Sequence, residues 1–137
     1  MSHTYTARPF LKWAGGKSQL LPQFRLHYPI ELQTGRIRRY IEPFLGGGAV
    51  FLDIAQRCDI AEAYLFDINE ELILVYTVVQ REPRRLLEVL TGLRHRFIEL
   101  DEVGREEFFY AVRRRYNEQR QIINYQVFAD NWIDRAA

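Results

Sequence analysis

The chain has 137 residues, the length of one domain or of part of one, and 47% of them are apolar, enough to build a hydrophobic core. The formal net charge of +1 hides a segregation, since residues 1–40 carry +6 and residues 41–71 carry −6. No run of about 18 apolar residues predicts a membrane span, and no apolar signal core opens the chain. The single cysteine, Cys58, excludes an internal disulfide and fits a reducing cytoplasm, and no cysteine and histidine spacing indicates a metal site.

The first distinctive segment is Phe10-Leu-Lys-Trp-Ala-Gly-Gly-Lys17. Its Gly-Lys-Ser tripeptide suggests a phosphate-binding P-loop, but that motif requires a glycine five residues before Gly16, where Leu11 stands. The sequence predicts instead a Gly-Gly turn and a short helix from Lys17 to about Tyr28. A polar connector is expected over residues 30–39.

The central segment is Tyr40-Ile-Glu-Pro-Phe-Leu-Gly-Gly-Gly-Ala-Val-Phe51. It predicts a strand over residues 39–44, a glycine turn, and a helix over residues 49–57. A turn without Cβ atoms can adopt positive φ and lets a ligand approach the backbone. A second strand is predicted over residues 61–66, and its nearly continuous apolar character is typical of a parallel strand buried on both faces.

The glycine turn and a later carboxylate together predict a nucleotide-binding unit. Asp67 follows the second strand about 20 residues after Gly48, where such units place a carboxylate on the ribose hydroxyls. Dinucleotides are disfavoured because bulky Phe51 stands at the third glycine position of their fingerprint. S-adenosylmethionine, which has no pyrophosphate, fits better, since it requires an open turn, an acid for the ribose and apolar packing for the adenine.

The rest of the chain predicts helices. Asn69 is expected to cap one, Pro83 to begin the next, and a third to start near Arg105, while residues 127–133 carry a weaker helical pattern. Only two good strands are predicted, and a parallel sheet needs more than two to be stable. Missing residues or a second chain are therefore expected to complete the sheet.

Three blocks of sequence resemble the Dam-type DNA adenine methyltransferases, and they occur in the same order. They are Phe10 to Lys17, Glu42-Pro-Phe-Leu-Gly-Gly-Gly-Ala-Val-Phe51 and Asp67-Ile-Asn69. A fourth set, Phe109-Tyr110, Arg113 and Tyr116-Asn117, resembles the segment that opens the family's target-recognition region.

The resemblance implies an α/β fold, namely part of a Rossmann-like S-adenosylmethionine-dependent methyltransferase fold followed by a helical segment. Residues 1–80 would be the N-terminal part of the cofactor-binding domain, and residues 81–137 would begin the target-recognition region. The implied activity is site-specific methyl transfer from S-adenosylmethionine to the adenine amino group in duplex DNA. The arginines of the helical half fit a DNA partner, although each taken alone fits an ordinary helix surface.

The resemblance also implies roles for particular residues in the cofactor site. Trp13 and Lys17 would line it, with Lys17 near the carboxylate of the methionine part. Asp67 would accept hydrogen bonds from the ribose hydroxyls. The turn beside the methionine part would be formed by Pro43, Phe44, Gly46 and Gly48. Phe44 is also expected to pack in the core.

The sequence departs from the family at the catalytic segment. The family holds the flipped adenine with an Asp-Pro-Pro-Tyr segment, and no two prolines are adjacent here. Asp130-Asn-Trp132 is a poor substitute, because no strand precedes it. We therefore expect an N-terminal fragment that does not methylate DNA alone and assign no catalytic residue. The alternative is a non-catalytic cofactor-binding or DNA-binding subunit of a split methyltransferase.

Overall fold

The computed structural model describes residues 6–137. The chain divides into two compact units, Met1–Leu72 and Ile73–Ala137. The first unit contains a small sheet with short helices, and the second is helical. None of the helices in the described part of the chain is long and apolar enough to cross a membrane.

The first unit is built around two parallel strands. Its elements are a 3-10 turn (Lys17–Leu20), α1 (Leu21–Arg25), α2 (Ile30–Gln33), β1 (Arg39–Glu42), α3 (Ala49–Arg57) and β2 (Glu62–Leu65). The predicted order of strand, glycine turn, helix and strand is confirmed. The two strands pair in parallel with Ile41 opposite Tyr64, and the sheet has no further strand among the described residues.

A buried carboxylate attaches α1 to α3. Asp53 accepts hydrogen bonds from Arg25 (Nη2 to Oδ1, 2.6 Å), Arg57 (Nε to Oδ1, 2.8 Å) and the hydroxyl of Tyr28 (3.2 Å). Burial alone would raise the pKa of Asp53, but the hydrogen bonds from the two guanidinium groups outweigh it and hold the pKa below its usual value. Burial and the neighbouring Asp53 carboxylate raise the pKa of Tyr28 to about 12, so this phenol stays a donor.

The prediction that β2 is buried on both faces is wrong for the described residues. Tyr64 and Phe66 are about half exposed, and Ile41 on the paired strand is 60% exposed. An apolar run predicts burial only where another layer covers it, and no strand or helix of the described first unit covers these side chains. The sheet therefore presents an apolar face.

The second unit contains the long helices that the periodicity predicts. They are α4 (Glu70–Arg81, which contains the unit boundary), α5 (Pro83–Ile98), α6 (Glu102–Gln119) and the short α7 (Asn131–Ala136). Asn69 caps α4 as predicted, because its Oδ1 accepts the amide of Glu71 at 3.0 Å. Pro83 begins α5, also as predicted. The buried core of this unit consists of Leu74, Val78, Leu86, Trp132 and Ile133.

Three predicted segments differ from the structure. The helix predicted from Lys17 to about Tyr28 is a 3-10 turn followed by α1, which ends at Arg25. The connector over residues 30–39 contains α2, which begins directly after Pro29. The helix predicted over residues 127–133 begins only at Asn131, because a turn at residues 125–126 and non-helical backbone at residues 127–129 precede it. There the indole of Trp132 donates to the carbonyl of Asn124 at 2.9 Å.

Candidate functional site

A cavity of about 900 Å³ lies where β1 and β2 end. Its lining comes from three separate parts of the sequence, residues 8–9 and 11–19, residues 44–47 and 49, and residue 67. Ligands of parallel α/β sheets bind at the carboxyl ends of the strands. The volume is in the range of small-molecule sites.

The carboxylate of Asp67 ties the end of β2 to the glycine turn after β1. Its Oδ2 accepts the amide of Gly46 at 2.8 Å, and its Oδ1 accepts the amide of Asn69 at 2.9 Å. An ionised carboxylate can accept about four hydrogen bonds, so these two leave acceptor capacity for a ligand. Gly46 has φ +53°, in the left-handed region that favours glycine.

Residues 8–16, which we call the strap, cross directly over the glycine turn. A Cβ atom at Gly47 would lie 3.5 Å from the carbonyl oxygen of Leu11 and 3.7 Å from Cβ of both Pro9 and Trp13. The strap therefore packs against the glycine turn at distances that a Cβ atom at Gly47 would also accept. The ring of Trp13 lines the cavity, and the residue is 42% exposed.

Two paired hydrogen bonds fix the start of the strap to α3. The amide of Ala7 donates to Oε1 of Gln56 at 2.7 Å, and Nε2 of Gln56 donates to the carbonyl of Ala7 at 2.9 Å. At the other end, the backbone turns at Gly15, with φ +74°, and the amide of Gly16 donates to the carbonyl of Trp13. The strap is thus attached to α3 at its start and closed by a turn at its end, although it contains no helix or strand.

Lys17 follows the strap and is paired within the protein. Its Nζ donates to Oε1 of buried Glu42 at 3.1 Å and to the carbonyl of Phe44 at 2.6 Å. The other carboxylate oxygen of Glu42 accepts the hydroxyl of Tyr40. Burial, together with this hydrogen bond, raises the pKa of the Tyr40 phenol well above its usual range, so it remains a donor.

The structure brings most of the predicted site residues to this one cavity. Lining residues among them are Trp13, Lys17, Phe44, Gly46 and Asp67. Pro43 and Gly48 lie in the same turn but are not lining residues, and Gly48, with φ +72°, precedes the first residue of α3.

The expectation that Phe44 packs in the core is wrong. Its side chain lies on the cavity wall, and the residue is 74% exposed. The buried residue of this segment is its neighbour Leu45. In the sequence, an aromatic side chain between a strand and a glycine turn predicts a core residue. Here β1 has already ended at Glu42, and the backbone directs the ring of Phe44 outward.

Sequence reasoning missed the pairing of Tyr40 with Glu42. The two residues are two positions apart on a strand, so their side chains point to the same face, and that spacing was a signal for the contact. It predicted Trp13 in the wall of the site but did not single out Pro9 and Leu11, which line the cavity beside it.

The remaining candidates lie in the second unit. Trp132 is buried in the hydrophobic core, so Asp130-Asn-Trp132 does not present a stacking side chain to a base. On α6, a shallow cavity of about 380 Å³ is lined by Tyr110, Arg113, Arg114 and Asn117. Three of these belong to the segment that resembles the start of a target-recognition region.

The sequence profile of the D12 class N6 adenine-specific DNA methyltransferases matches residues 13–133, which include Trp13, the glycine turn, Asp67 and α6. The chain belongs to this family. The predicted family is thereby confirmed, and its members are transferase enzymes that act on adenine in DNA.

Individual relatives match over most of this chain. The type II methyltransferase M.MjaIII of Methanocaldococcus jannaschii is 48% identical over 113 residues, 82% of this chain and 39% of the relative. The DNA N-6-adenine-methyltransferase of Escherichia phage P1 is 38% identical over 82% of this chain and 13% of its own length. The DNA adenine methylase of Vibrio cholerae O395 is 33% identical over 81% of this chain and 35% of its own length. The chain thus spans two fifths or less of these relatives.

We predict that Gly46→Ala destabilises this D12 class chain by about 1–2 kcal/mol, the cost of left-handed backbone for a residue with a Cβ atom. Space is available, since the new Cβ would contact Trp13 Cδ1 at 3.7 Å, so the cost is conformational. The measurement is urea unfolding followed by circular dichroism.

The matched control for this substitution is Gly92→Ala in the middle of α5. A Cβ there meets nothing within 4 Å, and alanine is the better helix former, so we expect a gain of about 0.5–1 kcal/mol. Equal effects of the two substitutions would contradict the conformational explanation.

Proposed function

We propose that the chain carries the S-adenosylmethionine site of a DNA adenine methyltransferase that transfers a methyl group to the adenine amino group in duplex DNA. One observation carries the proposal, the cavity in which the strap, the glycine turn and the Asp67 carboxylate meet. Membership of the D12 class supports the reaction type.

The chemistry of the lining matches the parts of such a donor. Asp67 retains acceptor capacity for ribose hydroxyls, and the exposed rings of Trp13 and Phe44 offer apolar surface to the adenosine and thioether parts. Lys17, which is paired with Glu42, supplies a hydrogen-bond donor for the carboxylate. Pro43 and Gly48 support the turn that carries Gly46. When bound, the donor would supply a methyl group on a positively charged sulfur.

The fold that accompanies this site is a partial Rossmann-like methyltransferase fold. Parallel strands joined through α3, with the cavity at their carboxyl ends, support it. The exposed apolar residues Ile41, Tyr64 and Phe66 fit a sheet that is extended and covered by further polypeptide, either more of the same chain or a second chain. Within this scheme, residues 1–80 belong to the donor-binding domain and residues 81–137 begin the target-recognition region.

We place the DNA contact on α6. None of its residues is buried, and its exposed face combines Tyr110 and Tyr116 with Arg113 and Arg114. Buried Arg135 of α7 holds the C-terminal end of α6. Its guanidinium lies 3.6 Å from the centroid of the Tyr116 ring and donates to the carbonyl of Tyr116. Arginines for phosphates and aromatic rings for bases are the side chains that nucleic-acid contacts use.

The residues that hold a flipped adenine are not supplied by the described part of this chain. In the only related tripeptide, Asp130-Asn-Trp132, the aromatic side chain of Trp132 is buried in the core of the second unit, and Asp130 pairs with Arg85. We infer that this chain binds the donor without methylating DNA and that Asp-Pro-Pro-Tyr comes from further polypeptide. The split-enzyme alternative shares this chemistry and differs only in whether that polypeptide is a separate chain.

We predict that methyl transfer to an adenine-containing duplex is absent with this chain alone and appears when a polypeptide carrying a strand and an Asp-Pro-Pro-Tyr segment is added. Transfer of tritium from labelled S-adenosylmethionine measures it. Transfer by the chain alone would contradict the proposal. The control is the added polypeptide without this chain, which should be inactive because it lacks the donor site.

We predict that Asp67→Asn weakens S-adenosylmethionine binding roughly ten- to a hundredfold, because a hydrogen bond to a charged acceptor contributes about 1.5–3 kcal/mol. Titration calorimetry measures the dissociation constants. Glu62→Gln is the matched control, because Glu62 is an exposed carboxylate on β2, the strand before Asp67, and is paired with Arg39. It should leave binding unchanged. Tight binding of ATP or NAD that survives Asp67→Ala would instead indicate a different nucleotide-binding enzyme.

We predict that the double substitution Arg113→Ala and Arg114→Ala weakens binding to duplex DNA and reduces the slope of log affinity against log salt by about 2, since each phosphate contact contributes about 0.9. Fluorescence anisotropy with a labelled duplex at several salt concentrations measures both quantities. The control removes two other arginines, Arg36 and Arg38, which pair with Glu31 and Asp59 in the first unit. Equal losses from both double substitutions would show a non-specific charge effect and contradict a contact on α6.

A further inference from the structure

Lys17 is held by more contacts than a lysine needs if its only role is to place a positive charge near a carboxylate. Its ammonium group has three donor hydrogens, and two are committed to Glu42 and to the carbonyl of Phe44. A lysine side chain is flexible, and this one is one-third exposed, so its position depends on these two acceptors. The group that holds it therefore decides whether the third hydrogen can reach a ligand.

Glu42 fixes the ammonium because each oxygen of its carboxylate accepts a hydrogen bond. One oxygen accepts Lys17 and the other accepts the hydroxyl of Tyr40, so the carboxylate cannot rotate without losing a hydrogen bond. Glu42 is only 6% exposed, and a buried carboxylate without a charged partner is costly. Buried Glu42 therefore stabilises the ion pair and keeps the Lys17 ammonium in place.

Tyr40 links this pair to the interior of the first unit. Its ring stacks against Phe51 of α3 with a centroid distance of 6.3 Å and an interplanar angle of 22°. Because Tyr40 and Glu42 are two positions apart on β1, their side chains point to the same face of the strand. A continuous series of contacts therefore runs from α3 through Tyr40 and Glu42 to Lys17.

The net charge of the arrangement also suits the proposed donor. S-adenosylmethionine carries a sulfonium, an ammonium and a carboxylate, so it is a cation overall. A lysine without compensation would repel it, whereas the Lys17–Glu42 pair is neutral and still offers a directed donor hydrogen. The geometry favours recognition by hydrogen bonding to the carboxylate over recognition by net charge.

We propose that Tyr40 and Glu42 are positioning residues that hold Lys17 so that its remaining donor hydrogen binds the carboxylate of the donor's methionine part. The inference rests on the proposed function and deepens it. It assigns to Tyr40 and Glu42 an effect on the ligand that acts only through Lys17.

The test compares two ligands that differ in the part Lys17 would bind. S-adenosylhomocysteine has the carboxylate, and 5′-methylthioadenosine lacks it while keeping the ribose and the adenine. Titration calorimetry on the 137-residue chain gives both dissociation constants for the wild type, Tyr40→Phe, Glu42→Gln, Lys17→Met and the double variants that contain Lys17→Met. Because both ligands bind the same folded population, the ratio of the two affinities is unaffected by a partial loss of fold.

We expect Lys17→Met to weaken S-adenosylhomocysteine about tenfold or more and to change 5′-methylthioadenosine less than about twofold. Tyr40→Phe and Glu42→Gln should each weaken only S-adenosylhomocysteine, by several-fold, and should have no further effect when combined with Lys17→Met. Tyr64→Phe is the matched control, because its hydroxyl pairs with Glu62 on the neighbouring strand at the same spacing, away from Lys17. It should leave both ligands unchanged.

Any other result would contradict the inference, and the pattern of the result identifies the claim that has failed. Equal weakening of both ligands by Tyr40→Phe or Glu42→Gln, or weakening that persists with Lys17→Met, would show a general structural role. No weakening would show that Lys17 needs neither residue. Both of these leave the donor site standing, whereas a wild-type chain that binds neither ligand would overturn the proposed function as well.

Discussion

The hydrogen bond from the amide of Gly46 to the carboxylate of Asp67 is the contact on which the geometry of the cavity depends. It joins the turn that follows β1 to the first residues after β2, just beyond the point where the backbone pairing of the strands ends with Leu45 and Phe66. A side chain at position 46 would resist the positive φ that presents this amide. One carboxylate therefore fixes the turn and still has acceptor capacity for a ligand.

The strap completes the cavity by a different physical means. It contains no helix or strand, so a regular ladder of backbone hydrogen bonds does not define its path. Instead, the side chain of Gln56 holds the residue before it, and Lys17, directly after it, is held by Glu42. Ordering a flexible segment costs about 1–2 kcal/mol per residue in backbone entropy, which side-chain contacts at two fixed ends help to offset. The site thus combines a rigid strand-end scaffold with an irregular wall.

The parts of the fold and the site that depend on local sequence patterns could be predicted from the sequence. The bounds of α3 follow from the glycine turn and the apolar spacing, the Asn69 cap follows from its position before two glutamates, and Asp67 follows from its distance to the glycines. The sequence did not reveal what depends on long-range packing. Phe44 turns outward, Tyr64 and Phe66 lack a covering layer, and Lys17 meets a glutamate 25 positions away in the chain. These features are set by which segments meet in space, and periodicity along one segment does not encode that.

The chain contains two tryptophans, and each lies in a different unit. Trp13 is partly exposed beside the glycine turn, whereas Trp132 is 5% exposed in a helical core. Indole emission moves to longer wavelength as its surroundings become more polar, so the red side of the spectrum reports mainly on the strap and the blue side mainly on the helices. The molecule therefore carries a separate optical reporter for each unit, and the loss of order in one can be followed without a label while the other remains intact.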